Sequence, residues 1–140
     1  MNNSTKQEKY LVTGGAGFLG TRIAQSLTEA GHHVRIFDIA DASFNLIDCE
    51  YVQGDITDAS AIERACQGIT RIIHCVSQVP LARDKKKFWS VNTDGTERLL
   101  DRAFVEGVTK VVHVSTSAVF GIPDGSGLVT QNTDPLPVED

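Results

Sequence analysis

The residues with the clearest chemical purpose lie in the first third of the chain. Thr13-Gly14-Gly15-Ala16-Gly17-Phe18-Leu19-Gly20 sets glycines at 14, 17 and 20. They fall between a strand-like apolar run at 10–13 and a segment with helical apolar spacing at 18–30. A strand that turns abruptly into a helix needs the first glycine. Close approach of a pyrophosphate to the backbone needs the second, and tight packing of helix on sheet needs the third. The start of such a helix offers unpaired N–H groups and the positive end of its dipole, an arrangement that suits phosphate. Asp38 ends the next strand-like run, 34–37, at the distance of about 20 residues where a carboxylate takes both ribose hydroxyls of adenosine. The same charge repels a 2′-phosphate, and no arginine follows Asp38 to offset it, Arg35 lying earlier on the strand. Together these residues indicate a dinucleotide site that takes NAD, with NADP the less favoured cofactor. The purely structural alternatives are a glycine turn and a turn-forming aspartate.

Such residues need a scaffold, and the rest of the chain alternates strand-like runs with helical segments. The runs fall at 10–13, 34–37, 51–53, 71–76 and 108–114. The helical segments are 18–30, closed by Gly31, then a shorter one capped by Thr57 or Asp58 and running to Cys66, then a long one over 85–105 ended by Gly107. This order predicts an α/β fold, a doubly wound parallel sheet of Rossmann type with strand order 3-2-1-4-5 and right-handed crossovers. The run 71–76 is apolar almost throughout, so it is expected to be buried on both faces, with Cys75 a small buried hydrophobe. On the long helix Phe88, Val91, Leu99, Leu100, Ala103 and Phe104 form the apolar positions, Trp89 is expected in the core, and Lys85, Lys86 and Lys87 on a solvated face. After Gly121 the chain is rich in glycine and proline. Residues 1–140 therefore read as one dinucleotide-binding domain, truncated after the fifth strand.

Composition narrows the partners. Of 140 residues 41% are hydrophobic and 22% charged, and the formal charge of −5 argues against a nucleic-acid surface. No apolar stretch approaches the roughly 20 residues that span a bilayer, and residues 1–9 lack the apolar core of a signal peptide, so a cytoplasmic setting is expected. Cys49, Cys66 and Cys75 are widely spaced without a Cys-x-x-Cys pair. His32, His33, His74 and His113 supply no recognised ligand spacing either, so no metal is expected.

Further segments follow in order: Gly54-Asp55-Ile56-Thr57-Asp58, Ile73-His74-Cys75-Val76, Val91-Asn92-Thr93-Asp94-Gly95-Thr96, and Val114-Ser115-Thr116-Ser117-Ala118-Val119-Phe120-Gly121. With Thr13 to Gly20 they resemble the extended short-chain dehydrogenase/reductase family, of the NAD-dependent epimerase/dehydratase type. That family includes nucleotide-sugar epimerases and dehydratases and related steroid dehydrogenases. The resemblance implies that Gly14, Gly17, Phe18, Leu19 and Gly20 form the pyrophosphate turn. It also implies that Asp55 meets the adenine amine while Ile56 covers the ring, and that Cys75, Val76, Asn92 and Ser115 belong to the cofactor site. Cys75 and Val76 depart from the family's usual His-x-Ala-Ala, and Phe120 stands where it carries tyrosine. Thr116 falls at the family's catalytic serine or threonine, although a one-residue shift would pass that role to Ser117, and all three hydroxyls could instead satisfy backbone groups at a strand end. Asn92 has a second reading as a brace from helix to backbone, and His74 reads more readily as a satisfied strand-end histidine than as a base.

The family's central acid/base pair, Tyr-x-x-x-Lys, has no counterpart here, since Tyr10 and Tyr51 both lie far upstream of Thr116. The chain therefore reads as a fragment or a degenerate gene product that does not itself turn over substrate, with an apolar edge and face left open to association. The resemblance implies a parent that moves hydride at a hydroxyl or ketone of a nucleotide sugar, or a 3β-hydroxysteroid-type dehydrogenase acting on a sterol. A homodimer through the long helix is implied for the parent. A different class, a non-catalytic NAD-sensing or scaffold protein, remains open on sequence.

Overall fold

Alternating apolar runs and helices resolve, in a computed structural model, into a five-stranded parallel sheet of order β3-β2-β1-β4-β5. The structure describes residues 7–41, 48–79, 84–121 and 129–136. The strands are β1 Lys9–Thr13, β2 His33–Asp38, β3 Cys49–Gln53, β4 Arg71–His74 and β5 Lys110–His113. The helices are α1 Phe18–Glu29, α2 Ala59–Cys66, α3 Lys85–Trp89 and α4 Gly95–Val105. A π-helical turn, Ser90–Asp94, joins α3 to α4, and a 3-10 turn, Ser117–Phe120, follows β5. Strand order matches the expectation from sequence. The chain switches sides of β1 when it passes from β3 to β4, and ligands of open α/β sheets bind outside the strand ends at such a point.

Two apolar layers hold the sheet. Val12, Val34 and Ile36 pack with Ala24 of α1 on one face. On the other, Leu11, Phe37 and Ile72 pack with Ile62 of α2 and Leu99 and Ala103 of α4. Asp58 caps α2 by accepting the Ser60 N–H, the second of the two caps expected.

Several expectations need correction. The long helix is interrupted by the π turn, and its buried stripe runs through Val91, Leu99 and Ala103. Trp89, two residues or about 200° of helical turn from Val91, consequently points outward and is 60% exposed, as Phe104 is even more fully. β4 ends at His74, so Cys75 and Val76 lie just beyond the strand and are only half-buried. Nor is β4 closed on both faces: Ile72 and His74 are buried, Arg71 and Ile73 half-buried. β5 stops at His113, within the predicted run 108–114, and Val112 and Val114 are exposed.

Candidate functional site at the switch point

The turn from β1 into α1 is built against its surroundings with no room to spare. Gly14 sits at a φ of 67° with its N–H donated to the Phe37 carbonyl (2.8 Å), which ties the turn to the end of β2. A Cβ on Gly20 would overlap the Gly14 carbonyl oxygen and lie 2.7 Å from Gly15 Cα. The third glycine thus admits the helix onto the turn itself rather than onto the sheet. Gly15, which the spacing rule passes over, is equally constrained: a Cβ there would stand 2.5 Å from Ile36 Cγ2. The adjacent glycine pair was its only signal. Gly17 is the N-cap of α1 and has no side chain with which to cap it, and no acidic residue occupies the first turn. The N–H groups of Phe18 and Leu19 open the helix without an intrahelical acceptor.

Asp38 is fixed beside that turn. Ala16 N–H donates to its Oδ2 and Ala40 N–H to its Oδ1, each at 3.0 Å. An ionised carboxylate has about four acceptor positions, so about two remain for a ligand. Arg35 is engaged elsewhere, with Glu50 and with the carbonyls of Ala65 and Gln67. Asp55 holds the next corner, its Oδ1 accepting from Thr57 N (2.9 Å) and Thr57 Oγ1 (2.8 Å).

These residues enclose a cleft of about 300 Å³ lined by Gly14, Gly17, Asp38, Asp55, Ile56, Cys75 and Val76, with Phe37, Ile39, Lys87 and Val91 completing the wall. A second cleft, of about 370 Å³, is lined by Phe88, Asn92, Thr96, His113, Ser115 and Thr116. Val76, Ser77 and Gln78 line both and separate them. Asn92 fastens that partition: its Oδ1 accepts from Gln78 N (2.7 Å) and its Nδ2 donates to Gln78 O (2.9 Å). The bracing role is therefore present whatever else Asn92 does. Thr116 Oγ1 accepts from Ala118 N (3.2 Å) as the cap of the 3-10 turn, which leaves its hydroxyl proton free to donate into the second cleft. Ser117 begins the turn and is not among the residues lining either cleft. Phe18, 86% exposed, and Leu19 flank the first cleft without lining it, and Gly20 is buried beneath the turn.

Beneath both clefts His74, 1% exposed, links three elements. Its Nδ1 bonds Thr13 Oγ1 (2.6 Å) at the end of β1, and its Nε2 bonds Thr96 Oγ1 (2.9 Å) on α4. Burial, with a smaller effect from His113 at 5.1 Å between ring centroids, lowers its pKa to about 4. It is a neutral structural histidine at pH 7. Burial raises the Cys75 thiol as well, so this cysteine stays protonated beside the glycine turn. Among the described residues no group of three His, Cys, Asp or Glu could hold a metal ion, and no helix is long and apolar enough to cross a membrane.

Comparison with known proteins agrees with this geometry. The pattern of the NAD dependent epimerase/dehydratase family matches residues 10–139. The Sinorhizobium fredii protein y4nG is 43% identical over 93% of this chain, which covers 33% of that protein. A 3 beta-hydroxysteroid dehydrogenase/Delta 5→4-isomerase of Mycobacterium tuberculosis is 36% identical over 83% of the chain and 34% of its own length. The crystal structure of a Thermus thermophilus UDP-glucose 4-epimerase in complex with NAD superposes with a TM-score of 0.81 at 29% identity, over 92% of this chain and 44% of that one. The chain spans about a third of the length of these two curated relatives.

Proposed function

The chain belongs to the NAD dependent epimerase/dehydratase family, and from that premise we propose that residues 1–140 form an NAD-binding domain whose parent protein oxidises and reduces a substrate carbinol. The observation that carries this reading is the uncapped start of α1 behind a glycine turn, with Asp38 anchored to the same turn through Ala16. The residues fit the cofactor. Phe18 and Leu19 offer N–H groups to a pyrophosphate, at a turn where side chains on Gly14, Gly17 or Gly20 would press on the backbone of the turn or of Cys75 and Val76. Asp38 keeps acceptor positions for the adenosine diol and disfavours a 2′-phosphate. Asp55 is read as the acceptor for the adenine amine, and Ile56, Cys75 and Val76, which line the same cleft, as the apolar walls for its ring. When bound, NAD supplies the acceptor and donor of hydride.

The second cleft, which Ser115 lines together with Thr116, is proposed as the entry for the reacting part of the substrate. There the Thr116 hydroxyl donates a hydrogen bond to the substrate oxygen as its charge changes, and Asn92 keeps the partition rigid. Hydroxyls aligned in a second cleft favour an enzyme over a sensor. A nucleotide sugar is the substrate class proposed, on the likeness to the Thermus thermophilus epimerase. A sterol is the second reading, favoured by the mycobacterial relative. A cytoplasmic setting is proposed for the chain.

Calorimetric titration with NAD and, separately, NADP tests the cofactor assignment. NAD is expected to bind at least tenfold more tightly, and Asp38→Asn to erase most of that preference (about 1.4 kcal/mol per tenfold). A preference for NADP in the unmodified chain would overturn the role given to Asp38.

A further inference from the structure

We infer that Lys87 is a phosphate-binding residue of the proposed cofactor cleft, its ammonium group contacting the pyrophosphate from α3. The inference rests on the NAD-binding reading and adds to it a contact that the glycine turn does not supply. The cleft presents two carboxylates, Asp38 and Asp55, to a ligand whose bridge carries two negative charges. Against them stand the N–H groups and the partial charge of about +0.5 at the start of α1. Among the described residues lining this cleft, Lys87 is the cation.

Its position is built by the helix. Asp84 caps α3 by accepting the Lys87 N–H at 3.0 Å, which fixes the backbone from which the side chain departs. Val91, in the π turn that continues α3, is 8% exposed and lines the same cleft. Gly95, four further, lies so close to Ile56 that a Cβ would stand 2.8 Å from Ile56 Cγ2. Lys87 and Val91 thus both line this cleft, with the exposed Lys87 at its solvent rim, where a long flexible ammonium can swing to a phosphate. Lys85 and Lys86, equally exposed, line neither cleft and form the solvated face expected of the run.

This arrangement separates Lys87 from its neighbours experimentally. Lys87→Met and Lys86→Met change net charge equally, and both residues are exposed, so neither substitution disturbs the core. Binding of NAD, ADP and adenosine is followed by amide chemical-shift titration at low salt and at about 0.3 M salt. Lys87→Met is expected to weaken NAD and ADP about fivefold at low salt and about twofold at the higher, because screening shortens the reach of an exposed charge. Adenosine, which lacks phosphate, keeps its affinity, and Lys86→Met stays within about twofold of the unmodified chain for all three. Equal losses in the two variants would assign the effect to overall charge and overturn the inference. So would a loss of adenosine as large as that of ADP. Unmodified protein that binds NAD alongside an unaltered Lys87→Met variant refutes the Lys87 contact alone. Unmodified protein that binds none of the three refutes the cofactor reading and the contact with it.

Discussion

Acidification should weaken this fold through His74 by an amount that can be worked out in advance. The imidazole is buried between Thr13 and Thr96 and is neutral in the folded chain, with its pKa lowered from 6.5 to about 4. A base with a depressed pKa leaves stability intact above its unfolded pKa, because both states are then neutral. As pH falls below about 6.5 the unfolded chain takes up a proton that the folded chain refuses, and the loss continues until pH passes about 4. At about 1.36 kcal/mol per unit, the cost is about 2 kcal/mol at pH 5 and about 3 kcal/mol at pH 4. Urea unfolding followed by circular dichroism at pH 7.5, 6 and 5 reads the effect before most carboxylates titrate. His74→Gln keeps an amide that can bond both threonines and carries no titrating group. It should cost about 1–3 kcal/mol at pH 7.5 and lose most of the pH dependence. An unmodified chain that changes by less than about 0.5 kcal/mol between pH 7.5 and 5, or a variant with the unmodified slope, would refute the reasoning.

Two further substitutions probe the scaffold around the clefts. Gly20→Ala forces a methyl group against the Gly14 carbonyl and should cost about 3 kcal/mol in urea unfolding while abolishing NAD binding in calorimetry. An alanine variant of unchanged stability would show that the turn can yield. Asn92→Ala strands the N–H and carbonyl of Gln78 and should lower stability by about 1–2 kcal/mol, with faster amide hydrogen exchange over 76–78. Unaltered exchange there would remove Asn92 from its positioning role.

Much of this was legible in the residues themselves. Glycines between a strand and a helix, an aspartate closing the next strand, and five apolar runs in alternation were enough to order the sheet and place the first cleft at its switch point. What the pattern obscured were features set by neighbours in space. Trp89 and Phe104 look like core residues because they are large and apolar, yet the helix turns them outward once Val91, Leu99 and Ala103 take the inner stripe. The π turn leaves no compositional mark, since nothing in Ser90–Asp94 forbids ordinary α-helix. Gly15 escaped the spacing rule because its constraint comes from Ile36, on another strand. Lys87 was hidden in a run of three lysines, and only its place in the lining of the first cleft distinguishes it. Thr116 and Ser117 were ambiguous by one position, and the second cleft is lined by the first of them.

The most direct measurement is an amide-resolved NMR titration of this chain with NAD. Saturable shifts are expected at 14–19, at Asp38 and Ala40, at Asp55 and Ile56, and along 75–78, with smaller changes at Ser115 and Thr116. Shifts confined to another surface, or none at all from a folded chain, would contradict a dinucleotide site at the β1–α1 turn.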